Sequence, residues 1–418
     1  MTSPPARDYP GRRPLHAVLL DGTADAARLF EPLARALDGS GPAVLPVDAN
    51  APAARIRQLI DAFRPDAVTD TGGETRTRSG EPGVAPDTAV IIGTSGSTGT
   101  PKGVELSAAA LSHSARASLA RSGARPGERW LVCLPVSHVA GLQVLVRSLT
   151  GGTTPVTAAA TARAVAEAAD AGCAHVSVVP TQLVRLLGER GGAAALARYR
   201  CVLVGGAAAG AAVLGEARQA GVNAVTTYGM SETCGGCVYD GVPLDGVTVR
   251  VGEDGRLRIS GPVLMNRYHG RPDLTAAALQ YGEFVTSDLG SISDGERVVV
   301  RGRADDVINT GGHKVVPGEV AAVLETCPGV REAVVVGRPD PEWGERVIAV
   351  VVPADPAEPP GLELLRTHVR ARLPRYACPS EVVLMEAIPA LPSGKPDLAA
   401  LKGGKNVTPT GTIPAAER

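Results

Sequence analysis

The stretch Gly93-Thr94-Ser95-Gly96-Ser97-Thr98-Gly99-Thr100-Pro101-Lys102-Gly103 constrains this chain more than any other. It follows the apolar run 89–92, which reads as a buried strand, so a glycine-rich loop sits where a strand ends. Glycines let backbone N–H groups come close to an anion. The hydroxyls of Thr94, Ser95, Ser97 and Thr98 add donors, and Lys102 adds a positive charge. The combination suits phosphate. The spacing is not the Walker pattern, since no glycine is followed after four residues by Gly-Lys-Ser/Thr. A flexible Ser/Gly linker is the bland alternative. Against it stand the preceding strand, the Pro101-Lys102 pair and the periodic segment 105–119.

The 418 residues suffice for two or three domains. A formal net charge of -1 argues against nucleic acid or a membrane surface as partner. Seven cysteines, an odd number, do not form a secreted disulfide framework. The first residues lack the apolar core of a signal peptide, and no apolar run reaches membrane-spanning length, so a cytoplasmic setting is the expectation. Apolar strands at 15–20 and 43–47 alternate with helical stretches at 24–37 and 54–63. The alternation resumes with strands near 130–134, 176–179, 201–204 and 224–227 and helices near 159–170, 182–189 and 211–220. This predicts an α/β fold with a largely parallel sheet. From 247 to 300 strands and turns predominate, which predicts a β-rich subdomain. A compact α+β unit follows, with helices at 318–325 and 362–373 and strands at 333–336, 347–352 and 382–385. The expected division is 1–303, 304–402 and a flexible tail, 403–418.

Several polar constellations fall at strand ends. Tyr228-Gly229-Met230-Ser231-Glu232-Thr233 follows an apolar strand, on the side where α/β sheets bind ligands. Glu232 there can hold Mg²⁺ together with phosphate oxygens, and Ser231 can donate to a phosphate. Gly205-Gly206-Ala207-Ala208 permits close approach of a flat ring, or simply turns the chain. Asp288 lies among small residues, as backbone-capping aspartates do. The remaining candidates are Arg301-Gly302-Arg303-Ala304-Asp305-Asp306, the turn Asn309-Thr310-Gly311-Gly312-His313-Lys314, the tight loop Pro392-Ser393-Gly394-Lys395, and Ser137-His138 with nearby Gln143. Cys234-Gly235-Gly236-Cys237 has CxxC spacing, but no second pair accompanies it, which disfavours zinc.

Ser95-Gly96-Ser97-Thr98-Gly99-Thr100-Pro101-Lys102-Gly103 resembles the phosphate loop of the adenylate-forming acyl-CoA synthetases, and the other motifs follow in that family's order over residues 89–397. The resemblance implies ATP, Mg²⁺ and coenzyme A as cofactors and a small-molecule carboxylic acid as substrate. Glu232 would be the metal ligand, Tyr228 would stack on adenine beside Gly205 and Ala207, and Asp288 and Arg303 would hold the ribose. Lys102 and Lys395 would be catalytic, Asp305 the hinge of a mobile C-terminal domain, and Gly311 and Gly312 the passage for the CoA thiol. His138 would gate the acyl pocket. His313 departs from the more usual residue and is assigned no role. The tract 227–241, with fewer than 100 residues before the loop, is similar to the o-succinylbenzoyl-CoA synthetases of menaquinone biosynthesis. That implies 2-succinylbenzoate as the acid, with its aromatic carboxylate near Ser137, His138 and Gln143. Another carboxylic acid–CoA ligase and a carrier-protein-loading adenylation enzyme share these motifs, and a homodimer is left open.

Overall fold

The computed structural model describes residues 12–23, 25–77, 83–95, 101–293, 295–391, 395–403 and 411–414. Of the phosphate loop, Ser97 and Thr98 fall outside the described residues, and Ser95 is described by its backbone alone.

The fold is mixed α/β, with a large N-terminal part and a smaller C-terminal one. Two seven-stranded sheets and a five-stranded one precede residue 304, and a six-stranded sheet follows it. The first sheet centres on Leu15–Leu20, Ala43–Asp48 and Thr88–Ser95, which run parallel and are almost wholly apolar because both faces are covered. The second runs Gly235–Tyr239, Ala224–Met230, Cys201–Val204, Cys173–Val178, Arg129–Val132 across its middle. One core joins the two sheets. Val90 and Ile92 from the first, and Trp130 and Val132 from the second, meet the helices Ala108–Arg121 and Val139–Thr150.

Those two helices explain the closeness of the sheets. Ala108–Arg121 buries mostly small residues, among them Ala110, Ser114, Ala115 and Ser118. Val139–Thr150 is buried over the unbroken run 141–148, the pattern of a helix with no solvent face. Gly141 on it is obligatory, because a Cβ would lie 2.3 Å from the Pro135 carbonyl oxygen. Within this apolar helix Gln143 and Arg147 are four residues apart and so share one face.

The structure departs from sequence expectation at three informative places. The segment 105–119 is not one periodic unit: Pro101–Ser107 is a strand paired antiparallel with Thr88–Ser95, and Ser107 then caps the helix, accepting from the Ala110 N–H at 3.1 Å. The two strands that flank the glycine-rich stretch therefore pair with each other, and Lys102 lies on the second of them opposite Thr94. Tyr228 is not on a loop, because the strand Ala224–Met230 extends through it by pairing antiparallel with Gly235–Tyr239. In the tail expected to be flexible, Gly411–Pro414 is a strand antiparallel to Glu381–Leu384.

The β-rich subdomain carries one conformational anomaly. Leu279–Gln280 and Glu283–Ile292 are joined by the two-residue turn Tyr281-Gly282, in which Tyr281 has φ +54° and is 99% exposed. A turn with both central residues left-handed favours Asn-Gly, and a bulky side chain there is disfavoured. Replacing Tyr281 with Asn should stabilise the subdomain by about 1 kcal/mol. The check is the denaturant midpoint, and an unchanged or lowered midpoint would refute the assignment of strain.

Candidate active site

A cleft of about 620 Å³ opens where the ends of the sheets converge, and residues from both parts of the chain line it. Thr94 and Lys102 enter from the hairpin, Ser231 and Glu232 from the turn after Ala224–Met230, and Asp288 and Arg303 from the antiparallel pair Glu283–Ile292 and Val298–Arg303. Gly205 borders it, and only glycine fits there, since a Cβ would fall 2.1 Å from the Thr227 hydroxyl. Lys395 and Asp305 reach the same cleft from the C-terminal part. The backbone at Lys395 is fixed by the Leu391 N–H, which donates to the Lys395 carbonyl at 2.8 Å, and by pairing of Ala390 with Pro396.

The acidic groups are tied in an ordered way. Asp288 Oδ2 accepts from the Tyr228 hydroxyl at 2.7 Å, and Asp288 Oδ1 lies 3.7 Å from Arg303 Nη1. Arg303 Nη2 donates to Asp305 Oδ2 at 3.1 Å, so one guanidinium links the strand pair to the short helical turn Ala304–Asp306. Burial, and then the Asp288 charge, push the Tyr228 phenol well above its usual range, so it stays a donor. Tyr228 is not itself part of the lining. Glu232 Oε1 accepts from the Tyr268 hydroxyl at 2.7 Å, and its backbone carbonyl accepts from the Met265 N–H at 2.8 Å.

The acyl-side candidates divide. His138 and Gln143 line the cleft, whereas Ser137 does not. His138 stands at the mouth, where desolvation, opposed by Asp48 and reinforced by the nearby Lys395 ammonium, lowers its pKa and favours the neutral ring. Ala207 is outside the lining although Gly205 and Gly206 are in it. Gly311 and Gly312 form the turn between Ile308–Thr310 and His313–Val315, away from the cleft. Beside that turn His313 stacks on Tyr376 with ring centroids 4.2 Å apart.

Two lining residues escaped the sequence reading. Arg147 reaches the cleft from the buried helix while only 5% exposed. Its Nη1 and Nη2 reach the hydroxyls of Ser118 and Ser177 at 3.3 and 3.0 Å, and its guanidinium lies 4.2 Å from the Trp130 ring centroid. Nε has no partner, and no described carboxylate pairs with it. Beside it, Gln143 donates Nε2 to the Cys234 carbonyl at 2.7 Å and leaves Oε1 unpartnered. An isolated buried cation is costly, so a lone arginine inside an apolar helix was the available signal. Tyr268 is the other. Only 3% of the chain is aromatic, which makes an aromatic side chain in a cleft informative once the fold is known.

Among the described residues no cluster of three His, Cys, Asp or Glu could hold a metal. Cys234 and Cys237 are fully buried, and burial pushes the Cys237 thiol up to about 12. Glu232 lines the cleft with one carboxylate oxygen bonded to the Tyr268 hydroxyl. A single carboxylate fits a hard cation that takes its other oxygens from phosphates and water.

This cleft is shared by a large α/β part and a small C-terminal part. Residues 34–269 match the AMP-binding enzyme family model, and residues 319–395 match the model of the AMP-binding enzyme C-terminal domain. The chain belongs to the AMP-binding enzyme family and is an acid–CoA ligase. It is 40% identical over 398 residues, 93% of its length and 97% of the relative's, to a probable 2-succinylbenzoate–CoA ligase of Mycobacterium tuberculosis. The o-succinylbenzoate CoA synthetase MenE of Bacillus subtilis, solved with the acyl-adenylate OSB-AMP, superposes with a TM-score of 0.71 at 25% identity, covering 95% of this chain and 89% of that one. ATP-bound MatB of Rhodopseudomonas palustris, at 22% identity, shares the fold with a TM-score of 0.80 over 94% of this chain and 89% of that one. No helix among the described residues is long and apolar enough to cross a membrane.

Proposed function

We propose that the chain is a 2-succinylbenzoate–CoA ligase of menaquinone biosynthesis. The observation that carries this reading is Arg147, a buried guanidinium at the cleft wall with no carboxylate partner among the described residues, which with Gln143 would receive a second carboxylate of the acid. Moving that role to Arg147 and Gln143 replaces the expectation that Ser137 shares it. The relatives named above support the same acid.

ATP would lie between the glycine-rich stretch and Glu232, with Lys102 and Thr94 at its phosphates. Gly205 would border the adenine, and Asp288, oriented by Tyr228, would hold the ribose with Arg303. Glu232 would hold Mg²⁺, which when bound would supply charge neutralisation for the departing pyrophosphate. The succinyl carboxylate oxygen forms a bond to the α-phosphorus as the bond to pyrophosphate breaks, and the Lys395 ammonium stabilises the negative charge between them. The C-terminal part then turns about Asp305, which withdraws Lys395 and brings in the Gly311-Gly312 turn. The CoA thiol gives up its proton to water, its sulfur forms a bond to the acyl carbon, and the carbon–oxygen bond to the phosphate breaks as AMP leaves. Rate enhancement comes from positioning and electrostatics rather than from a covalent enzyme intermediate.

Incubation of the protein with ATP, Mg²⁺, CoA and 2-succinylbenzoate should release one pyrophosphate for each thioester, read by a coupled pyrophosphate assay and mass spectrometry. Turnover of other aryl or fatty acids but not this one would assign another CoA ligase. Transfer only to a phosphopantetheine-bearing carrier protein would assign a loading enzyme.

A further inference from the structure

The short strand Arg267–Tyr268 connects the two halves of the nucleotide site. It pairs antiparallel with Pro101–Ser107, with Tyr268 opposite Val104, and so sits one strand away from Lys102. The pairing is locked on both sides. The His269 N–H donates to the Gly103 carbonyl at 2.7 Å, and the Asn266 N–H to the Glu105 carbonyl at 2.9 Å. The buried Glu105 carboxylate has His269 Nδ1 at 2.7 Å on one oxygen and the Thr88 hydroxyl at 3.0 Å on the other. Met265, just before the strand, donates its N–H to the Glu232 carbonyl.

Tyr268 is thereby held between the hairpin and the Glu232 turn, and is only 6% exposed. Its hydroxyl donates to Glu232 Oε1 at 2.7 Å, and Lys102 Nζ lies 5.6 Å from its ring centroid. No described residue donates to Glu232 Oε2.

We propose that Tyr268 is a positioning residue for the divalent cation: by occupying Oε1 it fixes the Glu232 carboxylate with Oε2 turned to the cleft as a single-oxygen ligand, while its ring seats the Lys102 ammonium beside the same phosphates. A carboxylate anchored through one oxygen keeps its orientation when the metal arrives, as outer-shell partners of metal ligands do elsewhere. The inference rests on the reading of Glu232 as the metal-facing carboxylate, and the experiment separates the two.

Mn²⁺ serves as the probe, titrated by electron paramagnetic resonance into the full chain in the presence of α,β-methylene-ATP. Tyr268→Phe, which keeps the ring and removes only the hydroxyl, should weaken Mn²⁺ binding about tenfold. The Mg²⁺ concentration for half-maximal pyrophosphate exchange should rise in parallel, with the KM for acid and for CoA unchanged. Tyr268→Leu, which also removes the ring under Lys102, should add a rise in the KM for ATP. Tyr199→Phe, which deletes another buried hydroxyl donating to the Val165 carbonyl at 2.8 Å, should leave the Mn²⁺ titration as in the parent. If Glu232→Ala weakens Mn²⁺ binding while Tyr268→Phe does not, the proposal is overturned and the Glu232 reading stands. If Glu232→Ala has no effect on Mn²⁺ binding, the Glu232 reading falls and the proposal with it.

Discussion

Replacing Lys395 with alanine should lower acid-dependent ATP–pyrophosphate exchange about 10²- to 10³-fold, the cost of removing one preorganised donor from a developing charge. Conversion of supplied acyl-adenylate to thioester by CoA should fall by less than about threefold, since the ammonium acts in the first half-reaction alone. The structure presents Lys395, its backbone tied to Leu391, in the same cleft as Glu232 and Lys102 and close enough to His138 to depress its protonation. That placement suits adenylation, and the thioester step would need the C-terminal part elsewhere. Equal loss of both half-reactions would contradict alternation of the two parts and leave Lys395 a general binding residue. A Lys395→Arg variant retains charge but not the compact ammonium, and should recover only part of the exchange rate.

The second large effect concerns Arg147. Replacing Arg147 with leucine should reduce kcat/KM for 2-succinylbenzoate by roughly two orders of magnitude or more, the range for removing one partner of a buried charge pair. The same variant should change kcat/KM for 4-oxo-4-phenylbutanoate, which keeps the succinyl chain and lacks the aromatic carboxylate, by less than about threefold. Stability provides an independent reading. An unpaired guanidinium in an apolar helix is paid for in desolvation, so leucine at this position should leave the thermal midpoint unchanged or raise it. A variant that loses both acids equally, or that unfolds, would show Arg147 to be a structural tie between Ser118 and Ser177 instead of a substrate contact.

What the sequence made legible was local. Apolar strands followed by glycine, hydroxyl and charge pointed to the stretch 93–103 and to the Glu232 turn, because ligand groups at strand ends are adjacent in sequence to the strands that place them, whereas Asp288, inside the strand Glu283–Ile292, was singled out by the family resemblance alone. Lys395 likewise came from the resemblance, since by its residue type alone it reads as a solvated surface charge. The helix Val139–Thr150 was missed because an element buried on every side has no polar face and hence no period to detect. With it went Arg147, whose relation to the cleft depends on how that helix lies under the second sheet. Tyr268 was invisible for a related reason: it joins Lys102 to Glu232 through an antiparallel pairing that spans more than 160 residues of chain. The extension of Pro101–Ser107 as a strand was masked by the helix that follows, where Ser107 alone marks the change. Ser137 was included by proximity to His138 in sequence, yet adjacent residues in a turn face different ways, and only His138 reaches the cleft.

The central claim is that one cleft joins an acid carrying two carboxylates to AMP before any thiol is present. Its most direct measurement is mass-spectrometric analysis of the protein incubated with Mg²⁺–ATP and 2-succinylbenzoate in the absence of CoA. The account predicts an adenylate of that acid together with pyrophosphate, and its conversion to thioester and AMP when CoA is added. Thioester formation with no adenylate or acid-dependent pyrophosphate exchange beforehand, or no product from this acid at all, would contradict it.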